Sequence, residues 1–394
     1  MPRRGAMKRL LLLASEFPPG PGGIGTHAWN TARWLSRMGW QVRVRACQDY
    51  VTAEERDEFA KGAEFELVGL GGARIRGQRG AWLAAGCLVD TMRWRPGVVL
   101  ATGANAVRAA ALAGQVTGRP VAAVVHGSEV AETVWWKRAS LGAALRRMEV
   151  VLAVSRYTAA RVEELGVTAR RIEVVPNGAD EERFRPAEAG RKEEIRRRLG
   201  VAGGPVILTV GSVTRRKGQE WVVRALPFVI ERAPGLEYWV AGLPLDQPRL
   251  SEVAQELGVD GRVRFWGRVD AGTLLELYQA ADVFAMTSEF TPGGDYEGFG
   301  IAVIEAALCG LPAVVSDCGG LPEAVVEGET GLVVRQRDVE GIGEALARLA
   351  SDTAGREAMG RAARKRALDQ CTWAQRMRRY DRLLSSLLEG EGAG

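Results

Sequence analysis

The sequence predicts the α/β class, with two doubly wound parallel sheets, each the centre of its own domain. Three observations carry this. Short β-branched or Leu-rich runs alternate with helix-length amphipathic stretches along the whole chain, the pattern of parallel strands covered by helices on both faces. A length of 394 residues exceeds one ordinary domain and suits two. The runs also fall into two sets, parted by the turn-forming Pro176-Asn177-Gly178 and a charged segment from Asp180 to Gly200.

In order, the front set predicts strands at Arg9–Ala14, Val42–Ala46, Val98–Ala101, Val121–Val125, Val150–Val154 and Ile172–Val175. The back set predicts them at Val206–Val210, Glu237–Ala241, Val263–Trp266, Val283–Met286, Ala313–Ser316 and Gly331–Val334. Helix-length segments such as Thr26–Met38, Gln219–Glu231 and Leu250–Leu257 lie between them. The last segment, Trp373–Leu388, carries Trp373, Met377, Tyr380, Leu384 and Leu387 at helical spacing. The expected domains are therefore Rossmann-like: residues 1–180 with a returning helix over 372–389, and residues 181–371. Open parallel sheets bind ligands beyond the carboxyl ends of their strands. Two such domains facing each other are expected to form a cleft that holds the chemistry.

Composition narrows the function. Hydrophobic residues make up 46%, and the 49 glycines and 16 prolines are dispersed, which excludes disorder, collagen and a disulfide scaffold. Five scattered cysteines without a Cys-x-x-Cys point to a reducing compartment. There are two histidines and no Asp-x-Asp or His-Glu-x-x-His, so no metal is expected. The apolar run Leu10–Ala14 is shorter than a signal or spanning segment, and a cytoplasmic protein is expected. Residues 1–180 hold 25 Lys/Arg against 16 Asp/Glu, and the remainder 28 against 32. A basic front half suits an anionic partner; surface arginines of a basic composition are the plainer reading.

Four places could carry chemistry. Gly20-Pro21-Gly22-Gly23-Ile24-Gly25 follows the first strand and opens a helix, so its amides could cradle a phosphate. It also matches the dinucleotide fingerprint with Asp49 as ribose carboxylate, although Ser15–Pro19 intervenes, and a structural turn is the third reading. His126-Gly127-Ser128-Glu129 closes a buried strand, which directs His126 either to the cleft or to a neighbouring loop. His27 reads as packed or capping. Gly211-Ser212-Val213-Thr214-Arg215-Arg216-Lys217-Gly218 places cations after a strand, suiting a diphosphate, or else they are solvated surface charges. In Glu297-Gly298-Phe299-Gly300-Ile301, a glycine elbow presents free helix amides, and Glu305 follows inside an otherwise apolar helix. A carboxylate there needs a partner, and ribose hydroxyls would serve; the alternative is a solvated loop Glu297 and a Glu305 paired with a neighbouring cation.

Glu297-x7-Glu305, the loop ending Lys217-Gly218, His126 and the Phe17-Pro18-Pro19…Gly22-Gly23 loop resemble the retaining GT-B glycosyltransferases of family 4. The likeness runs in the same order over nearly the whole chain. The insertion Phe290–Tyr296 and Arg215–Glu220 are similar to mannosyltransferases acting on phosphatidylinositol mannosides. The resemblance implies an acceptor-binding first domain and a second domain that binds a nucleotide-diphosphate sugar, GDP-mannose ahead of a UDP-sugar, with no cofactor. It implies that Glu305 binds the ribose, Glu297 a sugar hydroxyl, and amides of Phe299, Gly300 and Ile301 the sugar and phosphate. Lys217 and Gly23 would meet the diphosphate, His126 the anomeric centre, Gly267-Arg268-Val269 the base, and Glu129 the acceptor. The chain departs at Ser212, where the family has arginine; Arg215 or Arg216 is expected to supply that charge.

The acceptor reads as a glycan or a lipid-linked hydroxyl. Arg74, Arg76, Arg79, Trp82, Leu83, Arg93, Trp94 and Arg95, then Trp135, Trp136, Lys137, Arg138, Leu141, Leu145, Arg146 and Arg147, mix cations with aromatics. They suit an anionic membrane surface at its inner face, or ordinary helices whose tryptophans are buried and whose arginines are solvated. No nucleic-acid reading motif occurs. An inactive GT-B-like binding protein and an NAD-dependent oxidoreductase are the alternative functions.

Overall fold

The computed structural model describes residues 8–18, 22–47, 52–70, 78–201 and 203–389. It divides into two compact units, Met1–Asn177 with Trp373–Gly394, and Gly178–Thr372.

The first unit is built on strands β1 (Arg9–Ala14), β2 (Gln41–Ala46), β3 (Glu66–Leu70), β4 (Val98–Thr102), β5 (Val121–Val125), β6 (Val150–Ala153) and β7 (Ile172–Val174). All pair in parallel, in the order β3-β2-β1-β4-β5-β6-β7. The central strands β1, β4, β5 and β6 are nearly continuous apolar runs because helices cover both faces, whereas β2 alternates Val42 and Val44 with Arg43 and Arg45. β3 is absent from the sequence expectation. It is a short edge strand with a register shift opposite Val44 and Arg45, and an edge does not need the continuous apolar run that betrays a buried strand. The helix Trp373–Glu389 belongs to this unit. It buries Trp373, Met377, Tyr380 and Leu384, and its Asp381 takes hydrogen bonds from Lys8 Nζ (2.9 Å) and Trp40 Nε1 (2.7 Å).

The second unit has β8 (Val206–Val210), β9 (Glu237–Ala241), β10 (Val263–Gly267), β11 (Val283–Met286), β12 (Ala313–Ser316) and β13 (Gly331–Val334). Their order is β10-β9-β8-β11-β12-β13. In both sheets the order reverses between two adjacent strands, β1 and β4 in one, β8 and β11 in the other. Successive crossovers leave in opposite directions there, so a crevice opens at the strands' carboxyl ends. Among the described residues no helix is long and apolar enough to cross a membrane.

Candidate functional site

The reversal point of the second sheet gathers the cations and the first glutamate of the sequence motif. After β8, Gly211 leads through Ser212 to a single 3-10 turn, Arg215–Lys217, closed by Gly218 at φ +67°. That left-handed conformation favours glycine. A side chain there would also collide with the Thr287 carbonyl oxygen at the end of β11. Thr287 Oγ1 donates to Gly218 O at 2.8 Å, and Glu289 N to Arg216 O at 2.8 Å. The two loops are thus braced on each other, and the Arg216 and Lys217 side chains meet the loop that carries Glu297.

Glu297 Oε2 accepts from Lys217 Nζ at 2.7 Å and Arg216 Nη1 at 2.8 Å, while Arg216 Nε lies 3.2 Å from Asp295 Oδ2. The Glu297 side chain is only 14% exposed. Burial pushes its carboxyl upward, but Lys217 and Arg216 outweigh that and hold it at about 2. Arg216 is therefore the arginine that joins Lys217 in this cluster, whereas Arg215 is exposed. Gln219 Nε2 holds the Ser212 carbonyl at 3.0 Å.

Gly300, at φ +89°, caps the helix Ile301–Leu308 without any side-chain capping bond. A Cβ there would sit 2.7 Å from Leu321 Cδ2. The Phe299 side chain is buried, so this residue offers its backbone. Glu305, one turn into this helix, faces different neighbours from Glu297. Tyr278 donates its hydroxyl to Glu305 Oε2 at 2.8 Å. Burial raises the Glu305 carboxyl, and the Tyr278 bond and Arg183 oppose it. The partner that the buried carboxylate requires is thus partly supplied from within the chain. Sequence reasoning missed Tyr278; its signal is a hydroxyl in the apolar helix segment Leu274-Leu275-Glu276-Leu277-Tyr278. It also missed Asp295 as a partner of Arg216. At the end of β10, Gly267 turns at φ +63° and is followed by exposed Arg268 and half-buried Val269.

In the first unit, His126 ends the β5 segment and is 8% exposed. Its Nε2 lies 2.8 Å from Thr102 Oγ1 on β4, and its ring meets the His27 ring edge-on at 4.8 Å. Burial pulls the imidazole down to about 3, so it is neutral. His27 is buried, 2.9 Å from the Tyr380 hydroxyl, which is the packed role expected of it. Glu129 Oε2 accepts from the amides of His126 (3.0 Å) and Gly127 (2.9 Å), and burial raises its carboxyl to about 7. Gly22 caps the helix Gly23–Arg37, with Glu16 Oε2 2.7 Å from where a Gly22 Cβ would stand. Pro19, Gly20, Pro21, Asp49, Arg74 and Arg76 lie outside the described residues. Among the described residues no group of three His, Cys, Asp or Glu could hold a metal ion.

The two basic, aromatic stretches part company. Trp82 lies under Arg45, and Trp94 under Arg43 and Arg9, at 4.6–5.8 Å, while Leu83 is buried. The two tryptophans of this first stretch are half-buried in cation–π contacts, while Arg93 and Arg95 are exposed. In the second, Leu141 and Leu145 are buried but Trp135 and Trp136 are 78% and 55% exposed.

Two family descriptions match the chain, Glycosyltransferase Family 4 over residues 21–183 and Glycosyl transferases group 1 over residues 191–366. A GDP-mannose-dependent alpha-(1-6)-phosphatidylinositol monomannoside mannosyltransferase of Mycolicibacterium smegmatis is 32% identical, over 98% of this chain and 100% of the relative. The chain belongs to glycosyltransferase family 4. A Corynebacterium glutamicum mannosyltransferase for the monoacylated monomannoside is 30% identical over 97% of the chain and 99% of its own length. The crystal structure of Anabaena HepE in complex with UDP matches with a TM-score of 0.81 at 21% identity, covering 96% of this chain and 100% of that one. The fold is GT-B, and the protein is a glycosyltransferase. The alternative of an NAD-dependent oxidoreductase gives way to this family membership.

Proposed function

We propose that this family 4 glycosyltransferase moves a hexose of mannose or glucose type from a nucleotide-diphosphate sugar to an acceptor hydroxyl, without a metal or other cofactor. The observation that carries the reading is the Arg216–Lys217–Glu297 cluster at the reversal point of the second sheet. Two cations held on one buried carboxylate form a site that a diphosphate can enter by taking over their charge. GDP-mannose is the favoured donor, supported by the full-length relatives whose names state that dependence; a UDP-sugar is the alternative.

The second unit is assigned to the donor and the first to the acceptor. Lys217 and Arg216 bind the diphosphate, in place of the arginine that Ser212 replaces. Glu297 takes a sugar hydroxyl, the amides of Phe299, Gly300 and Ile301 take sugar and phosphate oxygens, and Glu305 takes the ribose. Gly267, Arg268 and Val269 border the base. In the first unit Gly23 is assigned to the diphosphate, His126 to the reacting sugar and Glu129 to the acceptor. As the bond from anomeric carbon to phosphate oxygen breaks, positive charge develops on the sugar and negative charge on the diphosphate. The cations and helix-terminal amides stabilise the latter. The acceptor oxygen bonds to the same face of that carbon, and its proton passes to the departing phosphate, so configuration is retained.

The acceptor is a glycan or lipid-linked hydroxyl. Exposed Trp135 and Trp136 beside Lys137 support peripheral contact with an anionic membrane surface on the cytoplasmic side; nucleic acid is not a partner in this reading. Nucleotide release from GDP-mannose and UDP-glucose decides the donor, and an unchanged rate in EDTA supports metal independence. Glu305→Ala and Lys217→Ala should abolish transfer with the circular dichroism of the fold intact. Wild-type turnover in either variant overturns the site.

A further inference from the structure

We propose that Tyr278 is the positioning residue for the donor nucleoside: its hydroxyl fixes Glu305 in the one orientation that leaves a carboxylate oxygen for the ribose. Tyr278 lies on the helix Ala271–Ala280 and is fully buried. Its ring is held edge-on by Phe184 at 5.5 Å and stacked with Phe284 at 6.0 Å. A ring clamped on two sides cannot swing, so its hydroxyl is a fixed point. That hydroxyl meets Glu305 Oε2 at 2.8 Å and the Ala302 carbonyl of the preceding turn at 3.4 Å. A glutamate has three rotatable side-chain bonds, and ordering such a chain at the moment of binding costs affinity. Here the ordering is already done by the core.

The charge balance supports the same role. Glu305 stands in a helix whose other inward residues, Val303, Ile304, Ala306 and Ala307, are apolar. Burial disfavours its ionised form, and the Tyr278 hydrogen bond is the largest contribution opposing that. The phenol therefore both aims the carboxylate and keeps it a good acceptor for two vicinal hydroxyls.

The inference rests on the assignment of Glu305 to the ribose, and the test separates the two. Calorimetric titration of wild type and Tyr278→Phe would use GDP and UDP, their 2′,3′-dideoxy forms and inorganic pyrophosphate. The wild type should bind the ribose-bearing nucleotides better than the dideoxy forms. Tyr278→Phe, which removes one oxygen from a packed ring, should weaken the better-bound ribonucleotide on the order of tenfold. Its affinity for the dideoxy forms and for pyrophosphate should stay at the wild-type value, which also reports an intact Lys217 loop. In steady state the donor KM should rise by a similar factor with kcat nearly unchanged. Equal loss for ribose and dideoxy forms, or no loss for either, overturns the role of Tyr278. A wild type that does not distinguish the two forms overturns instead the ribose assignment of Glu305.

Discussion

Glu297→Gln puts the cation cluster to its most direct trial. Glu297 titrates at about 2 instead of the ordinary 4.5 because Lys217 and Arg216 overcome its burial. A shift of that size corresponds to roughly 3 kcal/mol of preference for the charged, paired form. Because the folded value is depressed, the stabilisation is present above about pH 4.5 and disappears as the pH falls toward 2. The variant should therefore be about 3 kcal/mol less stable than wild type at pH 7 in chemical denaturation, and the gap should close in acid. The amide also takes the shared anion from two partly buried cations, leaving Arg216 only the Asp295 carboxylate. Inorganic pyrophosphate no longer competes with an internal carboxylate for them, so its affinity should rise by about tenfold or more. Sugar transfer should fall all the same, since Glu297 is assigned to the donor hydroxyl. A stability gap of equal size at pH 7 and pH 3, or pyrophosphate bound no better by the variant, refutes the reasoning.

Arg216→Ala should lower kcat/KM for the donor far more than Arg215→Ala, because only Arg216 reaches the cluster while Arg215 is exposed; parallel donor titrations check this. Gly218→Ala forces a left-handed residue and a collision with the Thr287 carbonyl, so it should cost about 1–3 kcal/mol or more and lower the melting temperature. Glu129, raised to about 7 by burial, contributes stability that is complete below the ordinary carboxyl range and lost as the pH rises through about 7. Glu129→Gln keeps an oxygen for the His126 and Gly127 amides, so its melting temperature should vary less than wild type between pH 4.5 and 8.5. Trp135→Ala combined with Trp136→Ala should reduce co-sedimentation with vesicles containing anionic lipid and leave the melting temperature nearly unchanged, both rings being exposed.

The amino-acid order alone determined most of the architecture. The buried central strands are short apolar runs and the outer ones keep β-branched or aromatic residues at alternate positions, so twelve of the thirteen strands among the described residues are visible within a residue at their ends. β3 is hidden because Glu66 and Gly69, both poor strand formers, interrupt its short apolar stretch at the sheet edge. Glycines at Gly218 and Gly300 were legible as turns before helices, since a helix entered from a positive φ admits little else. The pairings among side chains were not. Which of Arg215 and Arg216 would stand beside Lys217 depends on how the turn after β8 rests on the end of β11. That Glu305 is held by Tyr278, 27 residues earlier, follows from two helices meeting in the folded unit. The sequence leaves the tryptophans of the first basic stretch either at a surface or buried, and the fold decides: the arginines of β1 and β2 cover Trp82 and Trp94. Local sequence sets where the backbone can turn and which face must be dry. Hydrogen bonds and ion pairs between distant positions are selected only when the sheet brings loop ends together, because their strength falls away within a few ångströms.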